Sequence, residues 1–243
     1  MPDKDPNGLE SVDWSIGKAA GVGLAAFLLP QVFIGTVLVF VAQSQDKKLS
    51  EIVTDENVLL SFAITTFISL SGAGIVWFAL NRKNVWRRLG FVKTRWDDIG
   101  LAFPGYLVYF VLAFVANLSL SIAFPEVADQ EQQTGFMDAA GYELVLAFIT
   151  LVLMAPLYEE MLFRGFVFRG LAKASSFWPA AITVSALFGL AHGQINVAVD
   201  TFLIGMVASW LVWHTKSIWP AILLHVIKNL VAYIFIFVIE VDV

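Results

Sequence analysis

Long stretches without any charged residue constrain this chain more than any other feature. Residues 19–43, 57–80 and 101–124 each lack Asp, Glu, Lys and Arg. Each stretch exceeds the roughly 20 residues that a helix needs to cross about 30 Å of hydrocarbon. Because lipid offers no hydrogen-bond partners, a spanning segment must satisfy its own backbone, and a helix does this. These stretches therefore predict three transmembrane helices.

The C-terminal part of the chain has the same pattern, interrupted by polar and ionisable residues. Four further helices are predicted there: residues 144–158 continuing into Glu159, residues 177–199 broken by His192, residues 201–213, and residues 219–239 containing His225 and Lys228. The predicted fold class is all-α, a polytopic transmembrane helix bundle of about seven spans, with a range of six to eight. Residues 1–243 are expected to form a single integral membrane domain.

The overall composition supports a membrane location and excludes several classes of function. Only 14% of the residues are charged, whereas soluble domains carry about 25%. The absence of cysteine excludes disulfides, thiol nucleophiles and cysteine-ligated metals. The net charge of −5 and the lack of a basic cluster argue against a nucleic-acid partner. The lipid bilayer is the partner that this composition predicts.

The distribution of lysine and arginine predicts the orientation, because basic residues in short loops stay on the cytoplasmic side. With the N-terminus inside, the inner segments carry Lys4, Lys18, Arg82, Lys83, Arg87, Arg88, Lys93, Arg95, Arg164, Arg169, Lys173 and Lys216. The outer segments then carry only Lys47 and Lys48, and the acidic loop 125–138 also falls outside. We therefore predict a cytoplasmic N-terminus.

Ionisable side chains occur only in the C-terminal predicted spans. They are Glu159, Glu160, Arg164, His192, Asp200, His225 and Lys228. Such a group inside a spanning helix costs about 2.5 to 3.5 kcal/mol on insertion scales, so each one suggests a functional site. Residues 1–140 are therefore predicted to supply scaffold helices, and residues 141–243 are predicted to form the functional core.

Glu160 and Arg164 are expected to form a structural ion pair, because residues four apart share one face of a helix. Glu159 lies about 100° around the helix from Glu160 and points elsewhere. Pro156 removes a backbone hydrogen bond, and in a membrane a neighbouring helix is expected to satisfy the freed carbonyl. The two adjacent carboxylates are thus predicted to have different surroundings.

A count along the chain relates Glu159 to His192. If the fourth helix continues to a turn at residues 175–176 and the fifth begins near Phe177, these two residues lie 16.5 positions on either side of the turn. At about 1.5 Å per residue they have the same height in an antiparallel pair. A carboxylate and an imidazole that share a water form a base for hydrolysis.

His225 and Asn229 are also four residues apart and share a face of the last helix. They are suited to donate hydrogen bonds to the oxyanion of a peptide-bond hydrolysis. Alternatively, Glu159, His192 and His225 are chemically able to hold a zinc ion. Each histidine taken alone also fits a simple helix contact, Asp200 fits a helix cap, and Lys228 fits a side chain that reaches the inner surface.

Three short motifs occur in order on these predicted helices. They are Glu159-Glu160-x-x-x-Arg164, Phe188-x-x-x-His192 and His225-x-x-x-Asn229, within APLYEEMLFRGFVFRGL, LFGLAHG and SIWPAILLHVIKN. The set resembles the signature of the CAAX-protease and bacteriocin-processing family, also called the Abi family, whose best-known members are type II CAAX prenyl endopeptidases. The resemblance covers residues 144–230. Three ordered motifs on hydrophobic helices are far more specific than one EExxxR match.

The resemblance implies an intramembrane endopeptidase that opens to the cytosol and cleaves a membrane-anchored peptide or protein, including a prenylated one. By analogy, Glu159 and His192 activate the water, and His225 and Asn229 stabilise the oxyanion. The supporting residues are Glu160 and Arg164, which hold the site in shape, and Phe188, which packs beside it. Members are described both as metalloproteases and as metal-free, glutamate-dependent enzymes, so no cofactor is firmly predicted and zinc is the candidate metal.

Two rival functions fit the same polar residues. One is a non-catalytic membrane immunity or scaffolding protein that binds a peptide in a polar cavity. The other is a small transporter that uses Glu159 and His192 as a proton relay. The absence of an inverted repeat argues against transport. The short chain without trafficking tails favours a prokaryotic plasma membrane.

Overall fold

The computed structural model describes residues 12–54, 57–81, 84–130 and 135–239, and these form a bundle of helices. The long helices are α1 (Ile16–Ser44), α2 (Val58–Ala79), α3 (Trp96–Ala123), α4 (Glu143–Ala174), α5 (Phe177–Leu190), α6 (Ile195–Thr215) and α7 (Trp219–Val238). No β-strand occurs in the described ranges. Six of these helices are long and apolar enough to cross a membrane, and α5 is shorter. The predicted all-α polytopic bundle of six to eight spans is confirmed, and the chain is an integral membrane protein.

The predicted boundary between the fifth and sixth spans is wrong. The fifth helix ends at Leu190, and residues 195–199 belong to the sixth helix instead. Gly193 has a φ of +74°, a conformation that side-chain-bearing residues rarely adopt, and the chain turns there. As a consequence α5 is only about 21 Å long and His192 follows its C-terminal end.

The predicted orientation stays a prediction. Lys4, Arg82 and Lys83 lie outside the described residues. The other basic residues named for the inner side lie near the start of α1, between α2 and α3, in the second half of α4, and after α6.

Helices α4 and α6 form the centre of the bundle. In α4 every residue of Met161–Phe168 is buried, so this segment contacts protein on all sides. The neighbouring helices are α1 and α2 on one side and α5, α6 and α7 on the other. A helix buried all round must be apolar all round or pair its polar groups, and this segment contains Arg164. That residue therefore needs a partner inside the bundle.

Helices α1 and α3 show the opposite pattern. Their large apolar side chains are exposed on the bundle surface, among them Phe33, Phe40, Leu107, Phe110 and Phe114. Exposing so much apolar surface to water would cost free energy, whereas contact with the hydrocarbon of a membrane does not. These outer faces are in contact with the lipid bilayer.

Candidate active site

The candidate active site is built around the turn of α4 that contains Glu159 and Glu160. Consecutive residues of a helix point about 100° apart, so the two carboxylates leave α4 in different directions. The side chain of Glu160 is 1% exposed and that of Glu159 is 26% exposed. The sequence-based expectation that the two acids have different surroundings agrees with this geometry.

Glu160 lies in a fully buried polar cluster with Arg164 and His225. Arg164 Nη1 donates to Glu160 Oε1 at 3.1 Å, and Arg164 has no exposed surface. His225 Nδ1 lies 3.0 Å from the same oxygen. The pairing expected from the four-residue spacing is therefore present, and the buried guanidinium has a counter-charge.

His225 on α7 lies between the two carboxylates. Its Nδ1 contacts Glu160, and its Nε2 lies 3.8 Å from Glu159 Oε2. An ionised carboxylate only accepts hydrogen bonds, so Nδ1 carries the proton in the contact with Glu160. The last helix therefore links the buried acid to the more exposed one, a contact that spacing along the sequence did not predict.

Glu159 and His192 line the same cavity, which has a volume of about 200 Å³. Its polar lining residues are Gln31, Thr65, Ser69, Tyr158, Glu159 and His192. The fourth helix ends at Ala174 and the fifth begins at Phe177, as the height argument assumed. A cavity of this size accommodates several waters within reach of an acid and an imidazole.

The contact of His192 with the end of α5 fixes which ring nitrogen is free. Its Nδ1 lies 2.8 Å from the carbonyl oxygen of Phe188. A carbonyl only accepts, so Nδ1 donates and the neutral ring keeps its lone pair on Nε2. His192 is thus held at the end of α5 with Nε2 available as a hydrogen-bond acceptor.

Phe188 packs between the two histidines, as expected of a residue beside the site. Its ring centroid lies 5.0 Å from that of His192 and 5.8 Å from that of His225. The guanidinium carbon of Arg164 lies 4.4 Å from the same ring, within the range of a cation–π contact. Phe188 separates the buried cluster from the cavity and contacts both.

Asn229 uses one amide hydrogen for a contact with α4. Its Nδ2 donates to the carbonyl oxygen of Leu151 at 2.7 Å. A carboxamide has two N–H groups, so one remains for another acceptor. The structure therefore gives Asn229 a helix-to-helix contact, and its expected role at the oxyanion stays a prediction.

A second polar cluster corrects the expectations for Asp200 and Lys228. Asp200 does not cap α6, because the helix begins at Ile195. Its carboxylate pairs with Lys228 Nζ at 3.2 Å and accepts from the Tyr109 hydroxyl at 2.5 Å. Lys228 therefore points to this acid instead of the inner surface, because an intramembrane charge is stabilised by an opposite one.

Several cavity residues were missed by sequence reasoning. Gln31 comes from α1, Thr65 and Ser69 come from α2, and Tyr158 directly precedes Glu159. Their polarity could have identified them, since polar side chains inside otherwise apolar spans tend to face a bundle interior or a cavity. The first two helices thus contribute to the cavity wall as well as to the scaffold.

The residues offered for zinc do not form a three-ligand site in this arrangement. Glu159 Oε2 and His225 Nε2 are 3.8 Å apart. Within the described parts of the chain, no group of three His, Asp or Glu side chains is arranged to hold a metal ion. A catalytic zinc takes three protein ligands and a water, and these residues do not supply that set.

A more voluminous cavity, of about 450 Å³, lies away from these groups. Leu101, Pro104, Trp178, Met206 and Trp210 are among its lining residues, which are all apolar. Hydrolysis needs groups that take up and donate protons, and this cavity has none of them. The smaller cavity beside Glu159 is therefore the candidate active site.

Comparison with known proteins finds similarity that includes the segment carrying the site. Residues 141–231 match the family model described as type II CAAX prenyl endopeptidase Rce1-like. A Bacillus subtilis (strain 168) protein named "Putative membrane peptidase YdiL" is 25% identical over 180 residues, which cover 72% of this chain and 72% of that protein. An "Uncharacterized 24.3 kDa protein" of Escherichia coli is 32% identical over 96 residues, 37% of this chain and 44% of that protein.

No solved structure matches the chain. The matched segment 141–231 contains all three motifs and helices α4 to α6 with most of α7. The resemblance that the motifs indicated is thereby confirmed, and the family and the first relative both support a membrane protease.

Proposed function

We propose that this Rce1-like membrane protein is an intramembrane endopeptidase in which Glu159 and His192 activate the water that attacks a peptide bond. One observation carries the proposal: Glu159 and His192 line one cavity, while the adjacent Glu160 is buried against Arg164 and His225. Only the carboxylate that reaches the cavity is placed to meet water and substrate.

The proposed reaction begins with a water held between Glu159 and His192. Glu159 takes one proton as the water oxygen attacks the peptide carbonyl, and His192 Nε2 accepts a hydrogen bond that orients the water. The carbonyl π bond opens to an oxyanion and a tetrahedral intermediate forms. The proton on Glu159 then moves to the amide nitrogen, and the oxyanion re-forms the carbonyl as the C–N bond breaks. The carboxylic acid formed in this way passes the remaining proton of the water to the freed amine, which leaves a carboxylate and an ammonium group.

His225 and Asn229 are the proposed donors to that oxyanion. Asn229 contributes the amide hydrogen that does not contact Leu151. A His225 ring that carries both protons donates from Nε2, while Nδ1 stays on Glu160. Such donors are strongest in a site from which water is excluded, because the local dielectric is low.

The proposed substrate is a peptide or protein held in the membrane by a lipid anchor, including a prenyl group. The description of the matched family as prenyl endopeptidases supports this substrate class. We place the protein in a prokaryotic plasma membrane with the cavity open to the cytosol, in line with the predicted topology. The proposal assigns no zinc to the site.

Purified protein in liposomes, incubated with a panel of membrane-anchored peptides with and without a prenyl group, tests the proposal. We expect new fragments by mass spectrometry from at least one peptide. The matched control is Glu159→Gln, which keeps the shape of the side chain but cannot take a proton. Equal cleavage by both proteins would contradict the mechanism. If the wild type and the variant both bind a peptide and neither cleaves it, the result would favour a non-catalytic protein that binds a peptide in the cavity.

A further inference from the structure

A side chain from α4 satisfies a carbonyl that Pro30 leaves unpaired in α1. Pro30 lies inside α1 and has no N–H, so the carbonyl of Ala26 lacks its ordinary helical donor four residues later. The Tyr158 hydroxyl donates to this oxygen at 2.9 Å, in a buried contact. Tyr158 is the residue directly before Glu159, so the contact ties the candidate catalytic turn to α1.

Pro156 creates a second carbonyl of the same kind. Helix α4 contains a π-helical segment at Phe148–Met154, and at its end the Ala155 N–H donates to the carbonyl of Thr150, five residues earlier. In that register the carbonyl of Leu151 faces Pro156, which has no N–H to give. Asn229 from α7 donates to this oxygen at 2.7 Å. The contact therefore ties α4, just before the turn that contains Glu159, to α7.

We propose that the carbonyls left free by Pro30 and Pro156 act as anchors that position Glu159, with Tyr158 and Asn229 as the residues that bind them. This inference rests on the proposed function for the role of Glu159. The first anchor joins Tyr158, within the turn Ala155–Glu160, to α1, and the second joins Leu151, four residues before this turn, to α7. Together they fix the position of the turn between those two helices.

The second anchor also sets the position of His225. Asn229 and His225 are four residues apart and share one face of α7. A fixed bond from Asn229 to α4 therefore holds His225 next to the two carboxylates of the same helix. Misplacing catalytic groups by about 1 Å can lower a rate 100-fold, so such anchors matter for catalysis.

Gly72 on α2 shows how closely the first anchor is packed. A Cβ added at this position would lie 2.7 Å from the Ala26 oxygen and 2.7 Å from Tyr158 Cζ. Cβ atoms in proteins essentially never approach other atoms so closely, so any side chain at Gly72 displaces the phenol ring. Helices α1, α2 and α4 thus meet at the hydroxyl of Tyr158.

Three variants test whether the Tyr158 hydroxyl positions Glu159 or only gives the Ala26 carbonyl a hydrogen bond. They are Tyr158→Phe, Pro30→Ala and the double variant. Tyr158→Phe is expected to lower the unfolding midpoint by about 2–4 °C and kcat by about tenfold at unchanged KM. Adding Pro30→Ala returns a backbone N–H to the Ala26 carbonyl. The double variant should recover the midpoint but keep the low kcat, because the tie between α1 and α4 is still absent.

Recovery of kcat together with the midpoint would overturn the positioning role of Tyr158, and so would a Tyr158→Phe protein that behaves like the wild type. Pro30→Ala alone is the matched control and should stay near wild type, since a carbonyl can accept from two donors. If the wild type cleaves no peptide, the proposed function fails. The midpoints of the variants still decide whether the hydroxyl anchors the turn.

The second anchor is tested by stability, because Asn229 is also a proposed oxyanion donor. Asn229→Ala should lower the unfolding midpoint by about 2–4 °C. Pro156→Ala added to it supplies an N–H for Leu151 and should restore the midpoint, while cleavage stays lost. An Asn229→Ala protein with the wild-type midpoint would overturn this anchor, and so would a double variant that is no more stable than the single one.

Discussion

Glu159 and Glu160 are adjacent in sequence but lie in two contrasting regions of the site, a cavity side and a buried side. On the cavity side, Glu159 and His192 line a space large enough for water, and His192 is bound through Nδ1 to the carbonyl of Phe188 in α5. On the buried side, Glu160 contacts both Arg164 and His225 and is 1% exposed. Each region thus contains one glutamate and one histidine.

The difference between the two regions shows how one helix turn can present one carboxylate for proton transfer and another for charge balance. A carboxylate that must take up a proton needs access to water, whereas a carboxylate that balances a buried guanidinium needs to be shielded from it. The rotation of about 100° between successive helix positions provides both environments. We infer that the cavity side activates the water, whereas the buried side holds the helices in place and positions His225 for the oxyanion.

The largest effect on stability is expected from the buried side. Arg164→Ala leaves Glu160 buried without its counter-charge and should cost about 3–5 kcal/mol of folding free energy. The unfolding midpoint and the yield of folded protein measure this loss. Arg95→Ala is the control, because the Arg95–Asp97 pair is exposed and contributes little. Equal midpoints for both variants would remove the difference between the two regions.

The two histidines provide the next test, because one lies on each side. His192→Asn should lower kcat by about 100-fold or more and leave the unfolding midpoint unchanged. His225→Asn should lower both kcat and the midpoint, since His225 contacts buried Glu160. Both quantities are measured on the same preparations. A loss of stability in His192→Asn as large as that in His225→Asn would contradict the assignment.

Much of the fold could be predicted because apolar length alone identifies α1, α2 and α3. The boundary between α5 and α6 could not, since both flanks of the turn are apolar and the turn depends on the backbone of Gly193. The Glu160–Arg164 pair followed from helix spacing. The contact between Glu160 and His225 did not, because it depends on how α7 is rotated against α4.

The metal content of the purified protein tests whether Glu159 and the two histidines act directly or as zinc ligands. Because Glu159 is the proposed base and His225 lies beside Glu160, we expect well under one zinc per chain in active, purified protein. Elemental analysis of the same preparation used for cleavage measures this. Stoichiometric metal whose removal stops cleavage and whose return restores it would instead make the histidines ligands.

The smallest effect is expected from topology reporters, which should leave activity unchanged. A reporter inserted between Arg87 and Arg95 should read cytoplasmic, and one near Asp129 should read external, because basic residues bias loops inward. The two fusions are each other's controls. The reverse pattern would place the cavity side of the site at the opposite membrane face from the one proposed.

The most direct test compares Glu159→Gln with Glu160→Gln in the same liposomes, on a peptide that the wild type cleaves. For each variant, kcat and the unfolding midpoint are measured together. Glu159→Gln should lose about 100- to 10,000-fold in kcat and unfold at the wild-type midpoint. Glu160→Gln should unfold at a clearly lower temperature, because it leaves Arg164 buried without a counter-charge. Near-normal cleavage by Glu159→Gln would contradict the account.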